Sequence, residues 1–340
     1  MAKTIRNKFD EKLTYEALMQ AHKKSQKGKG YRRDIILFNL KQEEYITWLY
    51  DKLKDGTYEH GGYTVFYITR PKLRKIEKSR YIDRIVHRWI VDNFLKEYFM
   101  KSFIYNSYAC IKEKGMHMAV LDLQKAMKKC EINWGEYYIL KMDVTKYFQS
   151  VDRKILINIL ERKIKDEKLL DLIKKIIYSS EGEKGLPIGN YTSQTFANIY
   201  LNELDQYVKH TLKAKYYFRY MDDFIILTKD KMEAVRLLNL IKKFLDEELQ
   251  LHLNSKTQVI KNKNGVNFCG YKIKENRLKI RDRGKRNLKL KIRHLNSMIK
   301  KGKISTEEAY RFITGHLGYI TIANVKMLTD KLFYNEDKFY

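Results

Sequence analysis

The feature that most constrains this chain is a pair of apolar stretches, each of which delivers carboxylates to a turn. YYILKMDV (137–144) reads as a largely apolar strand with an aspartate near its end. YYFRYM (216–221) followed by DDFIILT (222–228) reads as two short strands that turn at the acidic pair. Apolar residues on both sides of the acids anchor the turns in a buried sheet. Two like charges about 4 Å apart repel by roughly 4 kcal/mol at an effective dielectric of 20, so gathering Asp143, Asp222 and Asp223 calls for a cation. An all-oxygen set suits Mg2+, with Mn2+ as a substitute, the remaining positions being left to water and phosphate. Asp-Asp at a hairpin tip is also an ordinary turn former, so the pair alone does not decide.

The segments around these strands fix a fold class. The chain through about residue 54 is helical and basic, with KKSQKGKGYRR (23–33) as a loop and Ile46, Leu49 and Leu53 as an apolar stripe ended by Asp55-Gly56. YTVFYIT (63–69) is a strand closed by Pro71, and a helix carrying Ile82, Ile85, Val86, Trp89, Ile90 and Phe94 follows. Helical segments run over about 153–179, GEKGLPIGN (182–190) is a break, and a helix reaches about 212. After the acidic hairpin come a long amphipathic helix (231–249), the strands TQVIK (257–261) and NFCGYKI (267–273), and a strongly basic helical tail. Strand–helix–strand–strand with acids at strand ends predicts an α+β chain built on a split βαβ sheet with helices on one face.

Composition narrows the partners. There are 69 Lys and Arg against 41 Asp and Glu, a net charge of +28, and 44% hydrophobic residues supply a core. Such self-repulsion is tolerated for a polyanionic partner, and 26 tyrosines favour nucleic acid, whose bases stack on aromatic faces, over a lipid surface. Cys110, Cys130 and Cys269 stand far apart and read as reduced core thiols, not as a zinc or disulfide framework. Neither an apolar signal core nor a long apolar run is visible, which predicts a cytoplasmic protein without a membrane partner. His87, His117, His210 and His316 are scattered and read as structural.

These residues carry a family resemblance. RYMDDFIIL (219–227) looks like the YxDD hairpin of reverse transcriptases, and LKMDVTKYFQSVD (140–152) resembles their first palm motif. GLPIGNYTSQTFANIYL (185–201) is similar to the glycine turn and helix between them. LHLNSKTQVI (251–260) and GVNFCGYKI (265–273) resemble the lysine-bearing motif and the primer-grip hairpin, and YITRPKLRKIEKSRYIDRIVHRWI (67–90) the fingers motifs. The resemblance implies a right-hand polymerase: N-terminal region and helical fingers over 1–135, a ferredoxin-like palm over 136–274, and a basic helical thumb over 275–340. It implies Asp143, Asp222 and Asp223 as the catalytic, metal-binding set, with Val144 beside them in the metal and nucleotide sites. Phe148 would fill the space of a ribose 2′-hydroxyl and so select deoxynucleotides. Gly189 would allow backbone approach to nucleotide or template, and Gln194 a hydrogen bond nearby. Lys72, Arg74 and Arg80 would clasp the triphosphate, Lys256 would protonate pyrophosphate, and Phe268, Cys269, Gly270 and Tyr271 would form the primer grip.

In the basic tail, Lys285, Arg286, Lys289 and Arg293 flank the apolar Leu288, Ile292, Leu295 and Ile299 at helical spacing, as on a helix lying along template–primer phosphates. Ile188 before the glycine and Gln194 after the serine, with FIYNSYACIKEKGMHMAV (103–120), make the pattern most like diversity-generating retroelement reverse transcriptases. That family copies a template RNA with adenine-directed errors beside a small basic accessory protein. The expected partners are therefore template RNA, RNA–DNA duplex and deoxynucleoside triphosphates, with an accessory protein or structured non-coding RNA besides. Two alternatives stay open: a retron-type or antiviral defence enzyme, template-independent or protein-primed, and an RNA-binding scaffold with a silent polymerase centre.

Overall fold

The computed structural model describes residues 4–69 and 72–323. The strand stop expected at Pro71, the side chain of His316 and the end of the basic tail beyond residue 323 lie outside the described residues. The chain divides into two compact units whose segments interleave, and the α+β class is the one expected.

The first unit comprises Met1–Ile111, Asp143–Lys213 and Asn239–Ser255. Its helices form where the apolar spacing predicts them. Ile46, Leu49 and Leu53 are buried along the Gln42–Lys54 helix, which ends at Asp55. Ile85, Val86, Trp89 and Ile90 are fully buried along Tyr81–Ile90, which passes into one π-turn over Val91–Leu95. The Tyr15–Gln26 helix packs beside it, with His22 Nδ1 3.0 Å from the Tyr81 hydroxyl. Lys23 to Gln26 are thus helical, not loop: Thr14 caps the helix by accepting from the Ala17 amide, and Leu18, Ala21 and His22 carry its buried face onward. Asp152 and Asp166 cap the helices Arg153–Glu161 and Glu167–Ile177. Strands β1 (Tyr63–Ile68) and β2 (Arg74–Ser79) form an antiparallel hairpin with Tyr63 opposite Ser79. The Tyr191–Gln206 helix buries Thr192, Phe196, Ile199, Tyr200 and Leu204 together with polar residues such as Asn198 and Asp205, so most of its circumference is covered.

The second unit comprises Lys112–Met142, Ala214–Leu238 and Lys256–Tyr340. It holds a four-stranded sheet of β3 (Tyr138–Asp143, whose last residue belongs to the first unit), β4 (Tyr216–Tyr220), β5 (Asp223–Thr228) and β6 (Gln258–Lys261). Their order is β4-β5-β3-β6, the split arrangement expected from the chain order. NFCGYKI is not one strand. Cys269 and Gly270 both take positive φ (48° and 86°), the requirement of a two-residue type I′ turn, and fold the segment into β7 (Val266–Phe268) and β8 (Tyr271–Lys274). The basic tail is not helical from its start either, because β9 (Arg277–Ile280) pairs with β8 before the Asp282–Lys300 helix begins. Leu278 and Ile280 alternate inward there, a period of two that suits a strand. On the Asp282–Lys300 helix Leu288, Ile292 and Leu295 are buried, while Arg286, Lys289 and Arg293 face solvent. The small sheet is tied to the Met116–Trp134 helix by Gln124 Nε2, which donates to the Lys274 carbonyl at 2.9 Å. Among the described residues no helix is long and apolar enough to cross a membrane.

Candidate active site

In the second unit, the acidic hairpin pairs Tyr220 with Asp223, so its two-residue loop is Met221-Asp222 and Asp223 already opens β5. Met221 sits at φ 57°, a left-handed conformation that costs a non-glycine residue about 1 kcal/mol. The turn is braced from within: Arg219, with no solvent exposure, donates from Nη1 to the Met221 carbonyl at 3.1 Å. β5 lies between β4 and β3, and Lys141 on β3 places its ammonium 3.3 Å from the Asp223 carboxylate. The same ammonium donates to the carbonyl of Asn267 on β7. Lys141 on β3 and the amino end of β5 are therefore neighbours within this unit. Cys269 lies in the β7–β8 turn with its thiol pushed far above the ordinary range, first by burial and then by the Asp223 charge, against which Lys141 acts. Phe268 and Tyr271 are buried, so the primer-grip set presents its turn and not those two rings to solvent. Lys256, two residues before β6, is exposed.

In the first unit, the strand that ends at Asp143 continues as a ladder. The Asp143 carbonyl accepts from the Asn254 amide at 2.7 Å, Val144 bridges Leu253, and the Thr145 amide donates to the His252 carbonyl at 2.9 Å. Lys146 then turns the chain at φ 45°. Tyr147 goes inward, its hydroxyl donating to the Ala197 carbonyl at 2.5 Å, and Phe148 is left half-buried.

The break before the Tyr191–Gln206 helix is held by Arg153, 2% exposed. Its Nε donates to the Gly185 carbonyl at 2.8 Å and its Nη1 to the carbonyls of Ser180 (2.9 Å) and Gly182 (2.7 Å). Its Nη2 donates to Ser180 Oγ (2.8 Å) and the Glu181 carbonyl (3.1 Å). Beyond it the Leu186 amide donates to the Phe148 carbonyl at 2.7 Å and the Glu77 amide to the Ile188 carbonyl at 3.0 Å. Gly189 sits at φ +126°, and a Cβ there would stand 3.2 Å from Ile76 Cγ2 and 3.4 Å from the Glu77 carbonyl oxygen. The close approach that demands glycine is thus to β2 of the chain itself. Gln194 is exposed and accepts from Cys110 Sγ at 3.5 Å.

Of the fingers cations, Lys72 and Arg74 are exposed. Arg80 is engaged by the fully buried Asp83, 3.4 Å from its Nε, and Asp83 also accepts from the Tyr58 hydroxyl at 2.7 Å. Cys110 is exposed and Cys269 half-buried, so of the three thiols expected in the core only Cys130 is there: the other two lie in turns, both at positive φ. Among the described residues no three His, Cys, Asp or Glu side chains form a ready-made metal cluster, and Asp143, Asp222 and Asp223 each engage neighbours of their own.

Sequence reasoning missed Lys141, Arg219 and Arg153. The signal was present for the first two: each is a lone charge inside an apolar strand, and a buried charge persists only with a partner.

A family model described as reverse transcriptase (RNA-dependent DNA polymerase) matches residues 69–273, more than half of the chain and all three aspartates. The chain belongs to the reverse transcriptase family. This reverse transcriptase family chain is 24% identical over 279 residues to the putative COX1/OXI3 intron 2 protein of Saccharomyces cerevisiae, covering 63% of this chain and 31% of that protein. It is 25% identical over 289 residues to protein YkfC of Escherichia coli (72% of this chain, 74% of YkfC). To the group II intron-encoded protein LtrA of Lactococcus lactis it is 28% identical over 185 residues (51% and 30%). The chain thus spans about a third of the length of the two intron proteins and three quarters of YkfC. Family membership and the β4-β5-β3-β6 sheet together give the right-hand polymerase fold class expected from the sequence.

Proposed function

We propose that the chain is an RNA-directed DNA polymerase that adds deoxynucleotides to a primer on an RNA template. The observation that carries this reading is the Met221-Asp222 turn, braced by Arg219, at the head of β5 in the β4-β5-β3-β6 sheet. The donor set fits a hard divalent cation: it consists of oxygens alone, three carboxylates and the Val144 backbone carbonyl, and Asp223 already faces a positive charge on Lys141. Asp143, Asp222 and Asp223, with Val144, would hold Mg2+, or Mn2+ in its place; the ion would draw together carboxylates that repel one another without it. Bound there, it supplies charge neutralisation for the primer 3′-hydroxyl and the leaving pyrophosphate. The protein's part is positional. Asp223 is fixed by its pairing with Tyr220 and Asp222 by the turn that this pairing closes, and Phe148 excludes a 2′-hydroxyl. Lys72 and Arg74 neutralise the triphosphate, and Lys256 protonates pyrophosphate. Arg80 is held for the same task by Asp83, and Gln194 and Gly189 shape the nucleotide's surroundings. The turn Cys269-Gly270, between Phe268 and Tyr271, carries the primer end, and Lys285, Arg286, Lys289 and Arg293 follow the duplex phosphates. In this reading 1–135 serves as fingers, 136–274 as palm and 275–340 as thumb, in the cytoplasm.

The test is primer extension on a primed RNA with deoxynucleoside triphosphates and Mg2+. Asp222→Asn should abolish incorporation while RNA binding persists. Full incorporation by the variant sinks the polymerase reading, and a parent that binds RNA without extending it favours the silent scaffold.

The finer reading, an error-prone enzyme of a diversity-generating retroelement with an accessory protein or structured RNA, is supported by Ile188 before Gly189 and Gln194 after Ser193. Ile188 is half-buried and its carbonyl accepts from the Glu77 amide, which holds its backbone against β2. Ile188→Gln should lower misincorporation opposite adenine; an unchanged error spectrum removes this reading and leaves the polymerase.

A further inference from the structure

The second unit contains a three-way junction that the proposed activity does not by itself require. The Lys141 side chain is 15% exposed, lies in the apolar strand β3 and reaches two other elements. One is the carboxylate of Asp223 at the head of β5, 3.3 Å away, and the other is the backbone carbonyl of Asn267 in β7. An ammonium has three N–H groups and no acceptor, so it can serve two acceptors on two elements at once. Desolvating it in an apolar strand is costly unless such partners are present. The β7–β8 hairpin it grips is short, three residues paired with four, and turns through Cys269-Gly270. Its outer strand β7 has only three residues and pairs with β8 alone at the edge of the β7-β8-β9 sheet, so a tether on β7 matters to the position of the turn.

We infer that Lys141 is a positioning residue: an internal cation that clasps the β7–β8 hairpin to Asp223 and stands in for a divalent ion at that carboxylate until the ion arrives. The inference rests on the reading of Asp223 as a metal ligand. It adds a second coupling, because the group that steadies Asp223 also sets the height of the Cys269-Gly270 turn. The ammonium and the divalent cation draw on the same carboxylate and repel each other. Removing the ammonium therefore strengthens ion binding and loosens the hairpin, two effects of opposite sense. A side chain that merely filled space would weaken both together.

The experiment uses the full chain without nucleic acid. Mn2+ binding is followed through the loss of the free-ion paramagnetic signal, with Asp223→Asn as the blank, and amide hydrogen exchange is read over residues 266–274. Lys141→Met removes both charge and donor. Mn2+ should bind about tenfold more tightly, and exchange in the hairpin should accelerate at least tenfold. Lys141→Gln keeps a donor without the charge, so Mn2+ tightens while the hairpin stays protected; this variant decides the matter should the Met variant not fold. Lys141→Arg keeps charge and donors and should leave both readings within about threefold of the parent. Unchanged or weakened Mn2+ binding in both neutral variants overturns the inference. Neither reading needs turnover, so loss of the polymerase reading through an active Asp222→Asn leaves the clasp standing, and loss of the clasp leaves the polymerase standing.

Discussion

Replacing Arg153 by Met should detach the break before the Tyr191–Gln206 helix from the rest of the first unit. The guanidinium makes five hydrogen bonds to residues 180–185, four of them to backbone carbonyls. The carbonyls of Glu181 and Gly182 belong to exposed residues and regain water when the donor is lost, whereas Ser180 and Gly185 are buried. Each buried carbonyl left unsatisfied costs about 1–3 kcal/mol, which for the carbonyls of Ser180 and Gly185 puts the loss at roughly 2–6 kcal/mol, the Ser180 hydroxyl being free to rotate to another partner. At about 2–4 °C per kcal/mol for a body of 150–250 residues, the first unit's melting transition should fall by roughly 5–20 °C. Differential scanning calorimetry with hydrogen exchange over 180–190 measures both the drop and its location. Arg153→Lys supplies one point donor for a fork of five and should recover less than half of the loss. A Met variant that melts within about 1 °C of the parent refutes the assignment of these bonds as the anchor.

Three further outcomes follow from the structure. His87 is fully buried and stacked on His60, with rings 5.2 Å apart, and burial pushes its pKa down to about 3. The unfolded chain binds that proton near 6.5, so the stabilisation is complete above 6.5 and is lost as pH falls toward 3. It amounts to about 2 kcal/mol between pH 7.5 and 5. Urea denaturation at the two pH values should show the loss in the parent and much less of it in His87→Phe, and equal slopes would refute it. Phe148→Val should raise ribonucleotide incorporation at least tenfold relative to deoxynucleotides, read from kcat/KM for each; an unchanged ratio removes the gate. Lys289→Ala should lower the salt slope of duplex binding by about one with little dependence on sequence, and an unaltered slope would place that face away from phosphates.

How much was legible depended on whether a signal was local. The stripe of Ile46, Leu49 and Leu53 and the apolar runs on either side of Asp222-Asp223 each state their element within a few residues, and the structure places them there. NFCGYKI misled because its seven residues are apolar enough for one strand, and the turn depends on a cysteine at positive φ, a position where glycine or asparagine is the usual marker. The basic tail misled because Lys and Arg carry no period, so that the short strand β9 was hidden by the charge that surrounds it. At the site, the acids were legible because carboxylates on apolar strands have few other uses. Arg153 was not, since its partners are backbone carbonyls about 30 residues away, which no side-chain pattern announces.

The Cys269 thiol has a consequence for chemical reactivity. Only the thiolate attacks an alkylating or oxidising reagent, and burial beside the Asp223 carboxylate keeps this sulfur protonated well above neutral pH. It should be slow toward iodoacetamide while the turn is closed, and quicken when the turn opens or when Asp223→Asn removes the neighbouring charge. One native sulfur atom thus serves as a built-in gauge of charge at the acidic hairpin.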